Sequence, residues 1–200
     1  MKQSQLPVKA GKTPFTLWRN QPMKMLKKLL AVVLTGAMAL TLLTACGGNA
    51  VNDKSIADAL NDIVKSSVAA GQTKGYTFKP RTDEQAMAKA IAALSESERH
   101  KTEKVMKILK LDKGGANEES RFVWWGAVFA DEIGTAGQAY NVMDKILSQK
   151  AANADKLTGK KPGDIRYIGT ALSTTTYFGG KQKTVRIIVV TAEAEPVDKK

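Results

Sequence analysis

From Ser55 onward, Ile56, Leu60, Ile63, Val64 and Val68 recur at helical spacing until Gly71 interrupts them, which predicts an amphipathic helix. Thr82-Asp83-Glu84-Gln85 has the form of a capping box and predicts a second helix, with Met87, Ile91 and Leu94 on its inner face. A third helix is expected over Glu98–Leu111, with Val105, Ile108 and Leu109 inside, ending before Gly114-Gly115. Ser95 and Ser97 are weak breaks, so these two helices could equally be one bent helix. The pattern then changes. Arg121–Ala130 (RFVWWGAVFA) is aromatic and β-branched in bulk and reads as a strand covered on both faces. Thr135 and Gln138 have capping-box spacing and open a helix with Tyr140, Met143, Ile146 and Leu147 inside, and a polar loop is expected through Lys160-Lys161-Pro162-Gly163-Asp164. Residues Ile165–Thr176 and Thr184–Ala192 are the clearest strands, joined by the hairpin signal Phe178-Gly179-Gly180-Lys181. In the last strand Val185, Ile187 and Val189 alternate with Arg186, Ile188 and Val190, so only the Arg186 end of the outer face is expected to be wet. The predicted class is α+β: a small antiparallel sheet of about three strands packed with about three to four helices.

The N-terminal region follows a different logic. Residues 29–45 (LLAVVLTGAMALTLLTA) carry no charge and are preceded by Met23-Lys24-Met25-Leu26-Lys27-Lys28, the layout of a secretory signal. Leu43-Thr44-Ala45-Cys46, followed by Gly47-Gly48-Asn49, resembles a bacterial lipobox. That resemblance implies a diacylglycerol on the Cys46 sulfur and cleavage just before it. Two acyl chains are enough for stable anchoring, so the resemblance places the remaining chain outside the cytoplasm, tethered to a membrane. The alternative is an uncleaved signal anchor with an incidental cysteine. The expected organisation is a signal peptide over 1–45, with 1–22 either an extension upstream of a start at Met23 or Met25 or a long basic leader. A lipidated cysteine and flexible linker follow over 46–54, then a globular domain over 55–192 and a polar tail over 193–200.

Charge changes the picture only after this division. The 200 residues carry 31 Lys and Arg against 19 Asp and Glu, a formal net charge of +12. Seven of the basic residues and none of the acidic ones lie in residues 1–45, leaving +5 on residues 46–200. Nucleic acid is therefore not an expected partner of an exported chain. One cysteine excludes an internal disulfide framework, and one histidine excludes a His-rich metal site within a single chain. No metal or cofactor is expected.

The element order and several local phrases of the domain resemble the CAP superfamily (cysteine-rich secretory, antigen 5 and pathogenesis-related-1 proteins). Tyr76-x-Phe78 leading to Asp83-x-x-x-Met87-Ala88-x-Ala90 resembles the turn into that family's second helix. Thr135–Leu147 resembles its later helix, and Asp164–Ala171 (DIRYIGTA) the strand in which an aromatic precedes Ile-Gly. The resemblance spans residues 55–192 and implies an α-β-α sandwich. The family's cavity carries two histidines and two acidic residues. Here His100 falls near the first histidine, and Ser148-Gln149-Lys150 stands where the second would be, which puts the family's metal site and hydrolytic chemistry in doubt.

Candidate chemistry is sparse. His100, in a charged helical stretch, and Glu132, beside Asp131 at the end of the first long strand, are the weak catalytic candidates. Each has a plainer reading, as a solvated histidine and a polar strand end. Trp124, Trp125 and Tyr167 are candidate binding aromatics. Adjacent strand residues point to opposite faces, so one tryptophan should be core while the other lies under a helix or lines a groove. Lys101, Lys104, Lys107, Lys110 and Lys113 form a basic stripe that could meet anionic lipid or wall polymer, or serve as a solvated face. Nucleotide-binding glycine loops, Gly-x-Ser-x-Gly, His-Glu-x-x-His and Cys-x-x-Cys are all missing from the sequence. The leading expectation is a non-enzymatic, lipid-anchored binding module for a peptide, an envelope component such as a wall polymer, or a partner protein. A divergent CAP-type hydrolase using His100 and a structural envelope lipoprotein are the alternatives.

Overall fold

The computed structural model describes residues 52–131 and 133–197; the signal segment, Cys46 and Glu132 lie outside the described residues. In chain order the elements are α1 (Asp53–Ala69), β1 (Thr77–Pro80), α2 (Thr82–Ala92), α3 (Glu96–Arg99), α4 (Thr102–Ile108), β2 (Arg121–Phe129), α5 (Thr135–Asn141, continued as a π-helical segment Val142–Leu147), β3 (Lys160–Thr176) and β4 (Gln182–Pro196). The class is α+β, as the sequence predicts.

The sheet differs from the expected one in a single strand. It has four strands in the order β1-β3-β4-β2. The three long strands are antiparallel, but β1 pairs parallel with β3, Thr77 opposite Ile165 and Pro80 opposite Ile168. Pro80 closes this short edge strand, where a missing N–H costs no ladder bond.

Residue alternation splits the core into two layers. On one face Phe122, Trp124, Val128, Ile168, Ile188, Val190 and Ala192 pack under α1 and the α5/π segment. On the other, Val123, Val185, Ile187 and Val189 pack under α2 and α4. The result is a three-layer α-β-α arrangement in which Val185–Ala192 of β4 are buried throughout. Helix α1 is held by burial of Ile56, Leu60, Ile63 and Val64, each worth roughly 1.5–3 kcal/mol. Its exposed Lys54–Asp58 pair at 2.8 Å adds at most about 0.5 kcal/mol.

Two glycines set how closely helices approach the sheet. A methyl carbon on Gly169 of β3 would lie 2.0 Å from the backbone nitrogen of Gln85, so the first turn of α2 rests directly on the strand backbone. On the opposite face, a methyl on Gly126 would lie 2.9 Å from the Ile146 side chain in the π segment.

Several local expectations are corrected. The third helix is two short ones, α3 and α4, separated at His100 and Lys101. Thr82 and Thr135 do not cap: Arg81 and Gly134 occupy the N-cap positions without side-chain hydrogen bonds. Reciprocal boxes form instead at Asn52/Ser55 and Ser95/Glu98. The expected loop over residues 160–164 is the start of β3, its Pro162-Gly163 accommodated by a register shift between Pro162 and Arg166. The expected polar tail likewise contributes residues 193–196 to β4. Among the described residues no helix is long and apolar enough to cross a membrane.

Candidate functional site

A cleft of about 330 Å³ opens where α1 and α2 both begin, lined by Asn52, Asp53, Lys54, Pro80, Arg81, Thr82 and Gln85. Its position follows from topology. β1 ends at Pro80, the chain turns through Arg81 into α2, and the Arg81 N–H donates to the Ile168 carbonyl of β3 at 3.1 Å. From the other side, Asn52 caps α1, its Oδ1 accepting from the Ser55 N–H at 2.9 Å.

Two polar networks run into the fold from the cleft residues Arg81 and Asp53, one on each face of the sheet. On the α2 face, Arg81 forks onto Glu84, with Nε donating to Oε2 at 2.7 Å and Nη2 to Oε1. Glu84 is fully buried. Its Oε1 also accepts from the Thr191 hydroxyl at 2.7 Å, and Arg81 Nη2 donates to Thr191 Oγ1 at 3.2 Å. The Arg81 guanidinium lies 3.8 Å from the centre of the Tyr167 ring. The hydrogen bond to Glu84 raises the proton affinity of Arg81 above its ordinary value, outweighing desolvation.

On the α1 face, Asp53 Oδ1 accepts from the Thr170 N–H at 3.0 Å and from its hydroxyl at 2.5 Å. Thr170 Oγ1 accepts in turn from Arg186 Nη1 at 3.0 Å, while Arg186 Nε donates to Gln138 Oε1 at 2.8 Å. Gln138 Nε2 donates to the Ile133 carbonyl at 3.1 Å, which closes the chain onto the start of α5. Arg186 was expected at the wet end of its strand, yet it is only 5% exposed. Burial lowers its proton affinity, and the charge of Asp53 partly restores it. A third arginine, Arg166, lies half-buried between Tyr76 and Trp124, its guanidinium 5.0 and 5.1 Å from the two ring centres. Its buried Nη1 has no hydrogen-bond partner, and burial lowers its proton affinity too.

None of the candidate site residues from the sequence lines this cleft; Tyr167 is linked to it only through the Arg81 guanidinium above its ring. Trp124 is a core residue at 8% exposure, its indole N–H donating to the Gln149 carbonyl at 3.0 Å. Trp125 is half-buried on the opposite face, against the α2 and α4 core. His100 is exposed at the end of α3 and does not line the cleft. Asp131 accepts from the Thr184 N–H at 2.5 Å, which holds its carboxyl below the ordinary value. The lysines of the stripe are exposed, and Lys104 pairs with Glu98 at 2.5 Å. Among the described residues no group of three or more His, Cys, Asp or Glu is placed to hold a metal ion.

Comparison with protein-family models, curated proteins and solved structures finds no match to this chain. The cleft therefore has to be read from its own chemistry. It offers hydrogen-bond donors and the cations Lys54 and Arg81, above networks that are already internally satisfied. Such a surface can hold a polar ligand by hydrogen bonds and charge.

Sequence reasoning missed Asp53, Arg81, Glu84, Gln138, Thr170 and Thr191. Two signals were present: a lone arginine inside the apolar run Val185–Val190, and Arg81 three residues before Glu84 at a helix start.

Proposed function

We propose that the chain is a lipid-anchored extracytoplasmic binding module, non-enzymatic, whose cleft between the starts of α1 and α2 takes a peptide, an envelope component or a segment of a partner protein. The observation that carries this proposal is the cleft's position. Its wall begins at Asn52, six peptide links after the lipobox cysteine Cys46, so a tethered domain would hold the cleft close to its anchor. The lining supports binding rather than bond-making. Its ionisable groups Asp53, Lys54 and Arg81 are each engaged by partners in the fold. The CAP likeness belongs to the same proposal, supported by the phrases quoted above and by the three-layer arrangement.

Metabolic labelling with a clickable fatty acid tests the anchor. Label should enter the wild-type chain and be lost in Cys46→Ala; equal labelling of the two would sink the anchor. For the cleft, native-cell crosslinking from a photoreactive residue at Gln85 should trap a ligand that is not trapped from Thr73, on the loop after α1. Identical crosslinks from both positions would remove the cleft as a binding site.

A further inference from the structure

The end of the sheet formed by the β3–β4 hairpin carries an aromatic cluster that the fold does not cover. Phe178 is 86% exposed, Tyr177 47% and Phe129 44%. The three rings touch edge to face in sequence, Phe129 to Tyr177 at 5.6 Å and Tyr177 to Phe178 at 5.2 Å between centres. The loop that presents them is closed. The Tyr177 N–H donates to the Lys181 carbonyl at 2.8 Å and the Gly180 N–H to the Tyr177 carbonyl at 3.0 Å, with Gly179 and Gly180 at φ +77° and +75°. Rigid aromatics displayed at a tip are costly in water and favourable at a membrane–water interface, where amphipathic rings sit at headgroup level.

Charge at this end has the sign that an anionic bilayer attracts. Arg99 is tied to the hairpin through Ser173 Oγ at 2.5 Å and the Thr174 carbonyl, and the exposed His100 and Lys101 follow it directly. Lys181 is exposed in the loop itself. The Glu96 and Asp131 carboxylates at this end, bonded to Thr175, Thr176 and Thr184, keep their charge, and Arg99, Lys101 and Lys181 outnumber them.

Chain length fits as well. α1 starts at the level of Thr170, where Asp53 is bonded. The seven residues from Thr170 to Tyr177 carry the tip roughly 23 Å further along the strand. Fully extended, the six peptide links from Cys46 to Asn52 span about 20 Å, about 3 Å short of the tip, a difference within the roughly 5–7 Å thickness of one headgroup layer, so acyl chains on Cys46 and the aromatic tip can reach one bilayer surface together. We infer that the Phe129–Tyr177–Phe178 tip docks into the headgroup layer of a phospholipid bilayer and so fixes the domain's orientation on the membrane. This rests on the anchoring proposed above.

The test uses the full chain reconstituted into vesicles of equimolar phosphatidylcholine and phosphatidylglycerol, with an environment-sensitive dye at Lys181→Cys or, at the other end of the molecule, at Thr73→Cys. Each is prepared with Cys46 intact and as Cys46→Ser. Lipids brominated near the headgroup should quench the dye at position 181 severalfold more than at position 73. Tyr177→Ser with Phe178→Ser should abolish that difference while leaving the thermal midpoint unchanged. Equal quenching at both positions, or quenching at 181 that survives the double serine variant, overturns the tip contact. So does sedimentation showing a dimer that the double variant disperses, since the rings would then meet a second copy. The anchor is decided separately by the fatty-acid label on Cys46. A chain without label whose position 181 is still quenched loses the anchor and keeps the tip contact; a labelled chain without quenching does the reverse.

Discussion

The two faces of the sheet hold arginine in opposite ways. Under α2, Arg81 is met by a carboxylate, and its proton affinity rises. Under α1, Arg186 is met by a hydroxyl and an amide, with Asp53 acting through Thr170, and its proton affinity falls. The fully buried Glu84 depends on its counterion, because removing Arg81 leaves an uncompensated buried charge. A buried charge solvated by neutral dipoles is less costly to lose, because the groups left behind are uncharged. The α2 face should therefore be the more fragile to single substitutions, although it holds the smaller core cluster.

The largest expected effect breaks the charged side. Arg81→Met should cost about 3–5 kcal/mol in chemical denaturation, with the fully buried Glu84 left uncompensated. Replacing both partners, Arg81→Met with Glu84→Leu, should recover most of that loss; a double variant as unstable as the single would contradict the account. Gly169→Ala comes next. It drives a methyl into the backbone at Gln85, should cost about 3 kcal/mol, and should shift amide signals in α2 far more than in α1.

Arg186→Met sharpens the comparison. It leaves only Gln138 and Thr170 short of a partner, so the expected loss is about 1–2 kcal/mol, and a loss equal to that of Arg81→Met would erase the distinction between the faces.

The smallest effect concerns pH. Hydrogen bonds from Thr175 and Thr176 lower the Glu96 pKa, and Lys104 with Ser95 lowers that of Glu98 from 4.5 to about 2. A depressed carboxyl contributes stability that is present above its unfolded pKa and lost as pH falls through the folded one. The Glu96 contact that holds α3 to the hairpin should thus loosen as pH falls below 4.5, seen as lost protection of the Thr176 amide, while the core strands stay protected. Loosening that begins near neutrality would point to a different group.

What the sequence made legible were elements with their own local period. α1, β2 and the β3–β4 hairpin announce themselves through Ile56-to-Val64 spacing, the RFVWWGAVF run and Gly179-Gly180. β1 did not, because four residues carrying a lysine and a terminal proline have no pattern, and its partner Ile165 lies far along the chain. The start of β3 was hidden by Pro162-Gly163, which reads as a turn until a register shift absorbs it. The site was almost wholly illegible for a related reason. Asp53 meets Thr170 across 117 residues and Glu84 meets Thr191 across 107, so only the folded topology brings them together. Arg186 is the exception, since a single charge inside Val-Arg-Ile-Ile-Val-Val should have suggested a buried partner rather than a wet end.

The most direct measurement is the mass and N-terminal composition of the protein recovered from its native cell. The account predicts a chain that begins at Cys46 and carries a diacylglycerol thioether there. A chain that retains residues 23–45 with a free Cys46 thiol would contradict it.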